Sequence, residues 1–498
     1  MMKRIAQAWG FAAILLLPNY VDMTSSAGDA RIRFPTPLTR IALAHLTDMV
    51  IVAVVFGLFM AGLRSMKRWH TIRWVLMGVM PVFLLARNLN VIPFDVQPAD
   101  VVRISLIWIG MLALVVRRFT PIAHRLRTFG SSLLVGFAVF GLVVAGQLVR
   151  AAIWRPGPQA FAKPVAAPAP DRPRLVWILF DELAYKYTFE GRDPSLHLPN
   201  FDRLRAASTL YTDVTPIADR TTQAVPTLML GRQVKDVEYT QNNEYLIRTA
   251  DSSRWEPFNA DASLFGVAKQ HGVTTSIVGW YVAYCPIFAN VATECYWSND
   301  DAQDRGPTWL DASYPENVWF PLRILAEQFL WPRQALRDDA RRNAEGHIAS
   351  VRDLTQHALD TLANSQADIL YLHLPTPHPP GFWNRRTGQY AIGGSYLDSL
   401  DYSDRLVGEM LDELEKQPRW AKTTLIVQGD HAWRATMWRN LPGWNREDER
   451  VSHRGAPDLR PLVLVHAAGQ ENAETVTAPT SLLFIHDRVA AEIKAIAR

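Results

Sequence analysis

Two apolar runs set the terms for this chain. Ile41 to Leu63 is 23 residues long and mostly apolar, interrupted by His45 and Asp48; Ser132 to Val149 is a second, cleaner run. A helix needs about 20 such residues to cross a bilayer, so the N-terminal part is expected to be a membrane domain. Ile5 to Val21, Trp74 to Leu89 and Val101 to Val116 are shorter or flawed. With them the expectation is five transmembrane helices, or four if the first or third fails. Ile5 to Val21 also has the short core of a signal peptide, although no A-x-A cleavage site follows it closely.

Charge divides the chain at the same place. Residues 1–150 hold 16 Lys/Arg against 5 Asp/Glu, and residues 151–498 hold 36 against 43. The basic excess sits beside apolar runs rather than on a polar face, which argues against a nucleic-acid binder. So apolar a chain is not disordered throughout. Lys3, Arg4, Arg64, Lys67, Arg68, Arg73, Arg117, Arg118, Arg125 and Arg127 fall in loops on one side of the five spans. Lys/Arg-rich loops face the cytoplasm, so everything after Arg150 is expected outside it. Residues 155–173 carry six prolines, the composition of a stiff tether. The expected domains are therefore 1–154 (membrane), 155–173 (linker) and 174–498 (soluble). Two cysteines are too few for a disulfide scaffold or a four-thiolate zinc site. Outside the cytoplasm, Cys285 and Cys295 either pair across a short loop or remain free thiols.

The soluble part reads as α/β. Leu175–Phe180, Thr274–Trp280, Ile369–Leu374, Thr424–Gln428 and Leu462–His466 are short apolar runs. Helical patterns alternate with them at 200–207, 263–271, 349–364, 396–416 and 487–497. Buried strands alternating with helices predict a mostly parallel sheet covered on both faces. Ligands then bind beyond the carboxyl ends of the strands. The stretch 318–331 (VWFPLRILAEQFLW) is amphipathic and aromatic, suited to a membrane interface or to a core helix.

Four places carry candidate chemistry. Asp181 follows the first strand, where a carboxylate suits a divalent cation or a helix N-cap. Asp430 and His431 follow TTLIVQG and offer an oxygen and a nitrogen to one ion, or form a surface turn. Thr221 and Thr222 open the segment before QAVPTLMLGR, as nucleophile or as N-cap. Among the histidines, His373, His378 and His453 stand out; His378 is held among prolines in HLPTPHPP.

Their order and spacing resemble the alkaline phosphatase superfamily, and within it the membrane-anchored sulfatase-like phosphotransferases. LVWILFDEL resembles the opening metal strand, LPNFDRL the helix after it, TTQAVPTLMLGR the nucleophile helix ten residues before the glycine of "LTGR", and IVQGDH the second metal strand. The resemblance runs from about Leu175 to the C-terminus. It implies an alkaline-phosphatase-like fold, Thr221 as nucleophile, and Asp181, Thr221, Asp430 and His431 as ligands of one divalent metal. Glu182 and Thr222 are the alternates for Asp181 and Thr221. His378 and His453 match histidines that contact the transferred group or a second metal. Zinc or manganese suits that donor set. Two features depart from the pattern: Gln428-Gly429 replaces Ser or Thr before Asp-His, and Ala432 follows it where glycine is usual.

Sulfatases carry Cys or Ser in a C/S-x-P-x-R box, whereas residues 221–225 are TTQAV. A threonine nucleophile with N-terminal spans resembles phosphoethanolamine transferases and lipoteichoic acid synthases. The implied activity moves a phospholipid head group onto an envelope lipid or glycan through a phospho-threonine. The implied location is the inner membrane, with a periplasmic catalytic domain. A hydrolase of phosphodiesters or sulfate esters, and a non-catalytic membrane binding module, are the alternatives.

Overall fold

The structure is a computed structural model that describes residues 1–19, 39–88, 98–118, 120–153, 172–239, 245–298, 313–330, 332–439, 444–453 and 458–498. Residues 155–171 of the expected linker, Val21 and Trp331 lie outside the described residues. The chain divides into two compact units: Met1–Pro156 with Trp309–Ala335, and Gly157–Thr308 with Leu336–Arg498.

The first unit is helical: Met2–Leu15, Thr39–Arg64, Trp69–Arg87, Pro98–Arg118, Thr120–Ile153 and Tyr314–Leu330. Thr39–Arg64 and Thr128–Ile153 are long and apolar enough to cross a membrane, with mean hydropathy 2.3 and 2.2. Among the described residues these are two of the five expected spans. Met2–Leu15, with 14 residues, rises about 21 Å against an apolar bilayer core of about 30 Å. The apolar part of the third, Thr71–Leu85, is also short. A methyl group on Gly10 would fall 2.0 Å from the Leu134 carbonyl oxygen, so two helices of this unit meet backbone to backbone there. Helix Tyr314–Leu330 packs Leu322 and Leu325 on this unit's apolar cluster beside Phe11, Met49 and Leu148. Its Trp319 stays 65% exposed.

The second unit is built on an eight-stranded sheet: β1 (Arg174–Phe180), β2 (Thr209–Tyr211), β3 (Thr275–Trp280), β4 (Glu294–Ser298), β5 (Ile369–Leu374), β6 (Thr423–Gly429), β7 (Val463–His466) and β8 (Glu474–Val476). Their order is β8-β2-β7-β6-β1-β5-β3-β4. Every pair is parallel except those made by β7. The central strands are buried throughout, which is why they read as unbroken apolar runs. One face packs against helices Pro332–Asn364 and Tyr396–Glu415 through Val351, Leu354, Leu400 and Leu411. The other packs against Thr221–Leu230, Leu264–Gln270 and Phe484–Ile496 through Val225, Leu228, Phe265 and Ile493. Cys285 and Cys295 form a disulfide with 5.6 Å between their Cα atoms, tying helix Tyr284–Phe288 to β4.

Candidate active site

Side chains alternate across a strand. Leu175, Trp177 and Leu179 of β1 therefore share the face that packs on helix Thr221–Leu230. The next residue in that series is Asp181. Register extends the rows sideways: Trp177 lies beside Tyr371 and Ile426, and Leu179 beside His373 and Gln428. Asp181, Asp430 and His373 are thus delivered to one face near the carboxyl ends of three adjacent parallel strands, where such folds bind ligands. Thr221 opens the helix covering that face, at a backbone turn from the extended Arg220.

The Thr221 hydroxyl lies 2.7 Å from Asp430 Oδ2 and 3.1 Å from Asp181 Oδ2. It has one proton, so it donates to one carboxylate at a time. Asp430 Oδ1 accepts the backbone N–H of Glu182 at 3.1 Å and of His431 at 2.7 Å. His431 Nδ1 lies 3.0 Å from the Ala432 carbonyl, which can only accept, so that nitrogen carries the proton. In the neutral ring, Nε2 then presents a lone pair, 3.3 Å from Asp430 Oδ2 and 3.6 Å from Asp181 Oδ1. His431 Nε2 and Asp181 Oδ1 are buried with no hydrogen-bond partner. Two buried carboxylates and an imidazole nitrogen turned toward each other present hard oxygens with one nitrogen, a donor set that fits a divalent cation. Burial first, and then the neighbouring Asp430 charge, raise the Asp181 pKa well above the usual carboxylate range.

A second ring of groups surrounds this cluster. Glu182, wholly buried and held at φ 65°, is fixed from several sides. Arg434 Nε donates to its Oε1 at 2.6 Å, the Trp438 indole donates at 2.9 Å, and the Tyr396 hydroxyl donates to its carbonyl at 2.7 Å. The ring of His378 lies 4.9 Å from that of Trp280 and 4.7 Å from that of Trp438. Burial, with His347 and Arg434 nearby, holds the His378 pKa well below its ordinary value, so the ring is neutral. Ligand atoms of Asp181, Glu182 and His378 lie within 4.8 Å of one another, as do those of Asp181, His373 and Asp430.

The structure thus brings together Asp181, Thr221, Asp430 and His431, with Glu182 and His378 beside them. Thr222 is half-buried, and of the two threonines only Thr221 bonds to the carboxylates. His453 is not brought in: it ends the exposed turn after helix Arg446–Ser452, with Nε2 2.5 Å from Glu449 Oε1 and 3.3 Å from Arg439. Arg434, Trp438 and Tyr284 carry no motif and were not anticipated. His373 stood among the candidate histidines without a role, and strand parity with register is the signal that places it.

The centre is thus a hydroxyl between two carboxylates at the mouth of a mostly parallel sheet in an α/β fold. The sulfatase family model matches residues 173–437, more than half of the chain, and the protein belongs to that family, within the alkaline phosphatase superfamily. It is 24% identical over 272 residues to N-acetylgalactosamine-6-sulfatase of Mus musculus, covering 50% of this chain and 48% of that protein. The chain therefore spans about half the length of that relative. Similar solved structures include an alkaline phosphatase superfamily protein of Vibrio parahaemolyticus (13% identity, TM-score 0.38, 67% of each chain). Another is the phosphonate monoester hydrolase of Agrobacterium radiobacter (14% identity, TM-score 0.36, 65% of this chain and 74% of that one).

Proposed function

We propose that this sulfatase-family enzyme is a metal-dependent membrane phosphotransferase that takes a head group from a phospholipid donor, of phosphoethanolamine or phosphoglycerol type, and passes it to an envelope lipid or glycan. One observation carries the reading: Thr221, 2.7 Å and 3.1 Å from two buried carboxylates, stands where the family places its nucleophile. Threonine does not fit the sulfatase modification, because its Cβ bears a methyl group and cannot become an aldehyde. Gln223 and Val225 also stand where that box needs Pro and Arg.

Asp181, Asp430 and His431, with the Thr221 oxygen, would hold one divalent ion, zinc or manganese. Such an ion lowers the pKa of a bound hydroxyl and offsets phosphate charge. Asp430, nearest the hydroxyl, takes the Thr221 proton as Oγ1 bonds to phosphorus. The ester bond to the lipid alcohol breaks, that oxygen takes up a proton, and diacylglycerol leaves. An acceptor hydroxyl then attacks the phospho-threonine, gives up its proton, and Thr221 is released. His378 and Arg434 lie at the rim to contact phosphate oxygens.

The two apolar helices support a membrane anchor, and the excess of cations in the expected cytoplasmic loops supports a multi-pass inner-membrane protein with this unit on the periplasmic side. The disulfide agrees with that compartment. The sulfatase match favours hydrolysis, with water as acceptor, as the second reading.

The test is intact-mass measurement of the full chain, in detergent with divalent metal and phospholipid, beside Thr221→Ala. The expected result is an adduct of the head-group phosphate on the native protein alone, discharged by a non-water acceptor. An adduct surviving in Thr221→Ala refutes the nucleophile; discharge to water alone selects the hydrolase. A protein with neither adduct nor bound metal is the non-catalytic module.

A further inference from the structure

His373 lies on β5 in the row of Leu179, one step below Asp181 and on the same face of the sheet. It is wholly buried. Buried imidazoles ordinarily engage both nitrogens. Here Nδ1 lies 2.8 Å from the Tyr284 hydroxyl, itself 2.9 Å from the Tyr371 hydroxyl, while Nε2 has no hydrogen-bond partner. A ring nitrogen of His373 and oxygens of Asp181 and Asp430 lie within 4.8 Å of one another.

Tyr284 is fixed from three directions. It is fully buried, with its ring centroid 5.4 Å from Tyr371 and 6.1 Å from Phe288. Gly279 leaves room for it: a methyl group there would fall 2.1 Å from Tyr284 Cδ2. The next residue, Cys285, is anchored by the disulfide to β4. A hydroxyl so held can accept Nδ1–H of His373, in which tautomer the lone pair is on Nε2, the nitrogen without a hydrogen-bond partner, while the Trp280 backbone lies beside the ring. Metal-bound histidines use their second N–H in this way, and the outer partner sets the tautomer.

We propose that His373 is a further nitrogen donor of the cation centre, with Nδ1–H donated to Tyr284 and Nε2 turned to the ion, and that Tyr284 is its positioning residue. This rests on the metal-dependent reading above. The full chain in detergent is stripped with chelator, then titrated with zinc against a chelating dye and with cobalt(II) by visible absorption. Native protein is compared with His373→Ala, Tyr284→Phe and Asp430→Asn. The expected result is one ion in the native protein, a zinc affinity lowered at least about tenfold in His373→Ala with an altered cobalt spectrum, and a loss of about 10- to 100-fold in Tyr284→Phe, its cobalt spectrum altered as well. Native affinity and spectrum in His373→Ala, with uptake lost in Asp430→Asn, overturn this inference and leave the metal-dependent reading standing. A native protein that takes up no ion overturns both. If His373→Ala does not fold, Tyr284→Phe decides, because it keeps the ring; a native affinity and spectrum there overturn the proposal.

Discussion

Asp430→Asn is expected to stabilise the metal-free protein while abolishing its cation uptake, two effects of opposite sign from one charge. Oxygens of Asp181 and Asp430 lie within 4.8 Å in a buried site. At that distance and an effective dielectric of about 20, two unit charges repel by about 3.5 kcal/mol. Asparagine keeps an oxygen for the N–H groups of Glu182 and His431, so little hydrogen bonding is lost. The repulsion also sets a pH dependence. Burial, then Asp430, raise the Asp181 pKa, so the folded chain holds a proton that the unfolded chain has released. That contribution is fully present below about pH 4. It is lost as pH rises toward the raised value, by at most about 1.4 kcal/mol per pH unit. With 17 tryptophans, the chain reports its own melting by fluorescence. With chelator, the native melting temperature should fall as pH rises from 5 to 8, and Asp430→Asn should melt a few degrees higher at pH 8. Zinc should raise the native value and leave the variant unmoved. A chelated Asp430→Asn protein that melts below the native one at pH 8 would refute the reasoning, because geometry rather than charge would then dominate.

Two further outcomes follow from the surroundings of the site. Arg434→Ala leaves the wholly buried Glu182 carboxylate with the Trp438 indole and the backbone N–H of residue 434 but no cation, and should cost about 3 kcal/mol, the low end for breaking a buried pair because Arg434 is partly exposed; denaturant melts with an unchanged midpoint would contradict it. Cys285→Ser opens a loop of sequence separation 10, worth about 3 kcal/mol on chain-entropy grounds; dithiothreitol should lower the melting temperature of the native protein and leave that variant unchanged.

Much of the centre was legible because burial on both faces forces continuous apolar runs. Ile369–Leu374 was expected and found with the same ends, and the runs ending near Phe180 and Gln428 located Asp181 and Asp430. Thr221 came from the resemblance, by the family's spacing counted back from Gly231, which ends that helix at φ 68°; the residues alone read equally as an N-cap. The strands β4 and β8 were not foreseen, whereas the resemblance placed a strand after LPNFDRL, where β2 stands. β4 and β8 are short, lie at the two edges of the sheet and carry polar residues such as Glu294 and Glu474, so no apolar run announces them. His453 was placed at the site because its position in the order matched, but order along the chain does not fix which way a surface turn points. The fifth of the expected spans was clear in length and apolarity and the first was not, for the same reason that hydropathy alone can see only a long run.

His373 shows where sequence reading stops and why. A histidine inside ILYLHL reads as a polar lapse in a buried strand. Its meaning depends on parity within β5, on register against β1, and on a tyrosine 89 residues earlier in the chain that takes up one of its two nitrogens. His431 reaches the same state by a local route, donating Nδ1–H to the carbonyl of the next residue. In both rings the nitrogen left over is Nε2, buried and without a hydrogen-bond partner. A polypeptide rarely leaves two such lone pairs buried beside two carboxylates. Their convergence from unrelated parts of the chain is therefore stronger support for a cation centre than any one of the residues considered by itself.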